Sequence, residues 1–227
     1  VTSMNSMFNA AGNFNQPIAS WDTSKVKDMS YMFYYATAFN QNISAWNVSS
    51  VVNKPPTQFS IYSSLTSANS PFSLVLDANG VTIKYNGPSI SSSPTFMYTN
   101  PRGGIEWFAI VNNSSKNAIT QYANGASSGI SAFTPPGQSS AVPFNNIVTT
   151  LITDMSNMFS GASAFNQPIG SWDTSNVLSM TGMFGWGSAF NQDITMWNVS
   201  NVTDMRYMFE GSIFNQPLNN WNVSNVT

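Results

Sequence analysis

Apolar and polar positions along this chain follow one phrase that recurs five times. A Val or Ile opens each copy, M-x-x-M-F comes next, a few small or polar residues follow, and F-N-Q-x-I/L-x-x-W-[DN]-x-S closes it. Copies begin at Val1, Val26, Ile152, Val177 and Val202, and adjoining copies start 25 residues apart. In the copy from Ile152, Met155, Met158 and Phe159 stand at i, i+3 and i+4, which predicts a short helix with an inward apolar stripe. Thr153 and Asp154 supply side-chain oxygens where that helix would begin, and Gly161 supplies a stop. Phe165 to Ile169 predicts a short extended segment, kept brief by Pro168, which lacks an N–H for a ladder. Trp172 closes the core, and Asp173-Thr174-Ser175 has the chemistry of an Asx or ST turn.

Each copy therefore predicts one short helix and one short strand. A fixed period of this size belongs to chains whose repeats bury their apolar faces on one another, coil upon coil. Stacking places like on like. Trp21, Trp46, Trp172, Trp197 and Trp221 are expected in one column, and Phe14, Phe39, Phe165, Phe190 and Phe214 in another. Asn15, Asn40, Asn166, Asn191 and Asn215 are expected as a ladder of side-chain amides serving the backbone of the next turn. The methionines read as core filling.

The phrase vanishes between Val51 and Leu151. Lys54-Pro55-Pro56 and Phe133-Thr134-Pro135-Pro136-Gly137 punctuate this stretch near its two ends. Strand-like runs occupy Gln58–Tyr62, Phe72–Leu76, Val81–Tyr85, Thr95–Tyr98 and Gly104–Val111, and Asn79-Gly80 is a hairpin signal between the second and third. Ser115–Gly125 fits a helix with a glycine stop or a strand over Ala118–Tyr122. The favoured reading is a small, mostly antiparallel β-domain inserted among the coils; four degenerate coils are the rival. Phe144-Asn145-Asn146-Ile147 imitates F-N-Q-x-I and reads as a truncated coil. The expected organisation is coils 1 and 2 over residues 1–51, the inserted β-domain over 52–143, and the truncated coil with coils 3 to 5 over 144–227.

Composition narrows the chemistry. Charged residues make up 7% of the 227, and 7 Lys+Arg against 9 Asp+Glu leave a net charge of −2. Scattered basic residues argue against nucleic acid, whose binding needs a basic stripe. No run is long and apolar enough for a membrane span. His and Cys are both absent, which removes imidazole acid–base chemistry, cysteine nucleophiles and the commonest metal ligands. Asp22 and Asp173 share one column with Asn47, Asn198 and Asn222, and Asp28, Asp154 and Asp204 share another. Oxygen columns suit Ca²⁺, but turn and helix capping explains them as well, and no metal or cofactor is expected. Glu106 and Asp77 are the carboxylates of the insert, and no motif gives them a glycosidase role. The expectation is a protein that is not an enzyme.

The segment I-T-D-M-S-N-M-F-S-G-A-S-A-F-N-Q-P-I-G-S-W-D-T-S-N-V, residues 152–177, resembles the BspA-type leucine-rich repeat. It is similar in particular to the surface-protein repeats first collected as a domain of unknown function in mycoplasmas. The resemblance covers a little over half of the chain. It implies a leucine-rich-repeat-like α/β solenoid, one short helix and one short parallel strand per 25-residue coil, displayed on a cell or virion surface. Adhesion is the role often proposed for such proteins, and the family defines no catalytic residues.

The functional expectation is a structural, surface-displayed repeat protein forming part of a longer array or fibre, extracellular and located on a cell or virion surface. The same V-T opens the chain at Val1 and closes it at Val226-Thr227, which suits head-to-tail stacking with further copies of itself. The alternative is an adhesin that binds a host glycan or protein receptor through the insert, with Tyr98, Arg102, Glu106, Trp107 and Tyr122 as candidate contacts. Asn42, Asn47, Asn112, Asn113, Asn198, Asn201, Asn222 and Asn225 lie in N-x-S/T triplets and are candidate glycosylation sites.

Overall fold

A computed structural model describes residues 1–48, 50–52, 56, 58–66, 69–87, 89–99, 101–102 and 106–227. Lys54-Pro55 of the first punctuation and Gly104 at the head of an expected strand lie outside the described residues. The chain divides into two units. The first comprises Val1–Val75, Tyr85–Ser91 and Met97–Glu106, and the second Leu76–Lys84, Ser92–Phe96 and Trp107–Thr227. Each has its own core. Met29, Met32, Phe33, Phe39 and Ile43 are fully buried in the first, and Met155, Met158, Phe159, Trp172, Met180 and Phe184 in the second.

The expected α/β solenoid of a helix and a strand per coil does not form. Regular elements among the described residues lie between Leu74 and Leu151. They are strands β1 (Leu74–Leu76), β2 (Ile83–Tyr85), β3 (Thr95–Thr99), β4 (Glu106–Asn112) and β5 (Ile147–Leu151), and helices α1 (Lys116–Ala123) and α2 (Ser127–Ala132). They make two small sheets, one of β1 and β2 and one in the order β3-β4-β5. The fold class is a mostly-β, small-sheet fold. The recurring phrase is built from turns, with isolated parallel bridges such as Asp154 to Ser179 and Ser179 to Asp204.

Left-handed backbone is what prevents the helix. Met155-Ser156-Asn157-Met158 closes with Met158 N–H donating to Met155 O at 3.3 Å, and Phe159-Ser160-Gly161-Ala162 closes the same way at 3.1 Å. Asn157 and Gly161, third in their turns, have φ of 56° and 68°, as a type II turn demands. Two successive four-residue turns send Met155, Met158, Phe159 and Ala162 inward. That is the same i, i+3, i+4 spacing as a helical stripe, so the apolar pattern alone does not separate the two. Alternate N–H groups leave the turn altogether. Those of Met155, Asn157, Phe159 and Gly161 donate to the carbonyls of Ser179, Thr181, Met183 and Gly185 at 2.9–3.0 Å. The next copy does the same, with Met180, Gly182 and Phe184 donating to Asp204, Arg206 and Met208 at 2.9 Å.

The expected extended segment is held by side chains. Asn15 Oδ1 accepts the Asn40 N–H at 3.1 Å, Asn166 Oδ1 that of Asn191 at 2.9 Å, and Asn191 Oδ1 that of Asn215 at 2.8 Å. With amide side chains carrying the bonds, a proline at position 17, 168 or 217 removes nothing from a backbone ladder. The aromatic columns also form. Trp172, Trp197 and Trp221 stack with ring centroids 6.5 and 6.4 Å apart, and Phe165, Phe190 and Phe214 at 5.9 and 6.1 Å. Trp172, Trp197 and Trp221 each donate Nε1 back to a carbonyl of the preceding layer, as Trp197 does to Ile169 O at 3.1 Å.

In the first unit the stacking continues beyond Val51. Phe33 N–H donates to Phe59 O at 2.8 Å and Tyr35 N–H to Ile61 O at 3.0 Å, while Asn40 Oδ1 accepts the N–H of Thr66 at 3.0 Å. Gln58 and Tyr62 carry the left-handed φ, so the run expected as a strand over Gln58–Tyr62 is again a pair of turns. Phe8 reaches Met32, 24 residues on, whereas Phe33 reaches Phe59, 26 residues on. Two extra residues hide this layer from a search at fixed period.

Elsewhere local signals decide. The Asn79-Gly80 hairpin forms, with Asp77 N–H donating to Thr82 O at 2.8 Å and Gly80 at φ 71°. Ser115–Gly125 resolves as helix α1. Its flank is bound to the layer from Ile152: Asn113 Oδ1 accepts the Thr153 N–H at 2.9 Å, and Thr120 Oγ1 donates to Met158 O at 2.8 Å. Strand β5, which lies in the region expected as the truncated coil, pairs in parallel with β4, Ala109 opposite Ile147. Phe144 O accepts Trp172 Nε1 at 2.9 Å, as Ile169 O accepts Trp197 Nε1. Phe144 thus holds the register of Ile169 and not, as its sequence imitates, that of Phe165.

Candidate functional site

The two left-handed positions in each layer point residues of very different kinds outward. The first is Ser6, Tyr31 and Gln58 in one unit and Asn157, Gly182 and Tyr207 in the other. The second is Ala10, Tyr35 and Tyr62, and Gly161, Trp186 and Gly211. Bulky side chains there are unusual, because a Cβ at positive φ crowds the carbonyl and costs about 1–2 kcal/mol. Yet Tyr35, Tyr62, Trp186 and Tyr207 are 46, 57, 63 and 61% exposed. The strain is not offset by burial, and strain of this kind concentrates at functional surfaces.

In the first unit these positions hold Tyr31, Tyr35 and Tyr62, and Tyr34 joins them in one cluster. Tyr35 and Tyr62, equivalent in adjoining layers, stack with centroids 4.6 Å apart and an interplanar angle of 28°. Tyr34 meets Tyr35 edge to face at 4.6 Å and Tyr62 at 5.9 Å, and Tyr31 meets Tyr34 edge to face at 5.8 Å. Partial burial, then the neighbouring phenols of Tyr35 and Tyr62, push the Tyr34 hydroxyl above its usual range. The cluster escapes a reading of the sequence because outward positions differ from copy to copy, and because Tyr62 sits in the displaced layer. The local density of Tyr31, Tyr34 and Tyr35 is the signal that was available.

The residues nominated from the sequence have other surroundings. Tyr98 lies on β3, half exposed. Arg102 and Glu106 form an ion pair at 2.8 Å. Trp107 is partly buried and packs against the core of the second unit. Tyr122, on α1, stacks on Phe144 at 4.4 Å and Phe133 at 5.5 Å and donates its hydroxyl to Val142 O at 2.9 Å, with burial raising its pKa. Tyr98, Arg102 and Glu106 belong to the first unit, and Trp107 and Tyr122 to the second.

Several sequon asparagines are already employed. Asn201 and Asn225 donate Nδ2 to the carbonyls of Ser175 and Ser200 at 2.6 Å, and Asn113 to Thr153 Oγ1 at 2.8 Å. Asn42, Asn198 and Asn222 accept the N–H of the residue two further on at 3.1 Å, as Asx turns, and Asn112 accepts from Ser114 at 3.0 Å. Asn47 is exposed and its carbonyl accepts from Thr23 Oγ1 at 3.0 Å.

The carboxylates do the same work as those asparagines. Asp22, Asp28, Asp193 and Asp204 accept N–H groups from Ser24, Ser30, Thr195 and Arg206 at 2.8–3.0 Å. Hydrogen bonds from these same residues hold all four below the ordinary aspartate range, the Ser24, Thr195 and Arg206 side chains acting most on theirs and the Ser30 N–H on Asp28. A depressed folded-state pKa contributes stability that is complete above the unfolded value of about 3.9 and is lost as pH falls through the folded values. Thermal midpoints should therefore be level at neutral pH and decline below about pH 4. A midpoint unchanged down to pH 2 would contradict this assignment.

A shallow cleft of about 220 Å³ in the second unit is lined by Asn79, Thr195, Met196, Asn198, Asn220 and Asn222, among others, and presents no acid or base. Among the described residues no group of three or more acidic side chains is placed to hold a metal, and no helix is long and apolar enough to cross a membrane. The family model for a Mycoplasma protein of unknown function, DUF285, matches residues 1–71 and 131–227. No curated protein and no solved structure matches the chain.

Proposed function

Because this chain belongs to the DUF285 family of Mycoplasma proteins of unknown function, we propose that it is a non-enzymatic display scaffold on an outer cell or virion surface. In this reading it serves as a section of an extended array. One observation carries the proposal: the interior is constant and the exterior is not. Phe, Met and Trp recur at the same positions in the five copies of the phrase, while the left-handed outward positions read Ala10, Tyr35 and Tyr62, or Gly161, Trp186 and Gly211. A fixed frame with interchangeable outward residues is the general arrangement of repeat proteins that present binding surfaces. Kinship of the phrase with BspA-type surface repeats supports the reading at the level of sequence.

Labelling of intact source cells or particles with a membrane-impermeant amine reagent tests it. Lys25 and Lys27 are exposed on the first unit and should be modified without lysis. Modification only after lysis would overturn the proposal.

A further inference from the structure

We propose that Tyr31, Tyr34, Tyr35 and Tyr62 form a platform that binds a neutral saccharide. The site follows from geometry within the first unit and does not depend on where the protein is displayed. Tyr35 and Tyr62 present half-exposed rings on two adjoining layers, and the layer before them carries only Ala10 at the same position. A methyl group does not cover a ring, so the Tyr35–Tyr62 pair has an open flank. Tyrosine brings large contact area with two side-chain torsions and a hydroxyl at the rim, a combination favoured on recognition surfaces. Folding gains little from leaving such rings at left-handed positions where Gly161 and Gly211 serve in other layers.

The arrangement selects among ligands. Ring centroids 4.6–5.9 Å apart mean that Tyr34, Tyr35 and Tyr62 touch one another and Tyr31 touches Tyr34. They leave no gap of the kind in which an aromatic cage encloses a quaternary ammonium. A ligand has to lie on the platform. Burial and the neighbouring phenols of Tyr35, Tyr62 and Tyr31 act on the Tyr34 hydroxyl, so the rim of the platform is phenolic. A pyranose offers what the platform matches: an apolar face of C–H groups for the rings and a rim of hydroxyls that exchange hydrogen bonds with phenols.

The test is calorimetric titration of the full chain with maltohexaose, cellohexaose and chitohexaose, and in parallel with phosphocholine and decaproline. Tyr35→Gly and Tyr62→Gly are the variants, because glycine suits φ of 56° and 59° and the layers already accept it there. The expected result is binding of at least one neutral hexasaccharide, weakened at least tenfold in each variant, with thermal midpoints preserved. Three results would overturn the proposal: no hexasaccharide bound, equal binding by both variants, or binding of phosphocholine or decaproline in place of the sugars.

Discussion

Trp172→Ala is expected to destabilise the second unit by about 3–5 kcal/mol. The side chain has no exposed surface. It stacks on Trp197 at 6.5 Å and leans on Phe159 at 5.7 Å, and its Nε1 donates to Phe144 O at 2.9 Å. Removing it opens a void where the layers from Ile152 and Val177 meet the chain leading into β5. It also leaves the Phe144 carbonyl without that donor in a site closed to water. Trp221→Ala in the same column should lose less, since Trp221 is only partly buried. Urea unfolding followed by circular dichroism measures both. A loss below about 1 kcal/mol for Trp172→Ala would contradict a packed indole column.

Gly129→Ala, a substitution that ordinarily strengthens a helix by about 1 kcal/mol, is expected to weaken this protein. Gly129 lies in α2 against α1, and a Cβ there would meet the backbone nitrogen of Tyr122 and the carbonyl carbon of Gln121. Backbone does not yield as a flexible side chain does, so α2 must move away. The cost is about 1–3 kcal/mol, the range for overpacking, and the displacement should also disturb the stack of Tyr122 on Phe144 and Phe133. Unfolding in urea gives the energy, and near-ultraviolet circular dichroism gives the loss of tyrosine order. An alanine variant as stable as the parent would show that the two helices do not approach this closely.

The interior was legible from the sequence and the backbone that carries it was not. Columns of Trp, Phe and Asn follow from the period alone, because a residue stacked on its own kind needs only a constant spacing. Helix and tandem turns, by contrast, share the inward pattern at Met155, Met158 and Phe159. What separates them is a left-handed residue every fourth position, and only the copy from Ile152 advertises it at both positions, with Asn157 and Gly161. In the copy from Val26 the same positions hold Tyr31 and Tyr35, which disguise the turn as ordinary helix surface. The Asn79-Gly80 hairpin was legible because its chemistry is local. The layer of Phe59, Ile61 and Thr66 was not, since two extra residues break the period. The tyrosine platform fell between these cases: it depends on positive φ and on the displaced Tyr62 together.

The central claim is that the recurring phrase folds as stacked turns with left-handed residues and not as short helices. Tyr207 tests it most directly, being 61% exposed at φ 59° with its side chain outside the core. Tyr207→Gly and Tyr207→Ala remove the same ring, so the difference between them reports the backbone alone. Stacked turns predict the glycine variant to be the more stable by about 1 kcal/mol in urea unfolding. A helix would place alanine ahead by about the same amount, and that result would contradict the account.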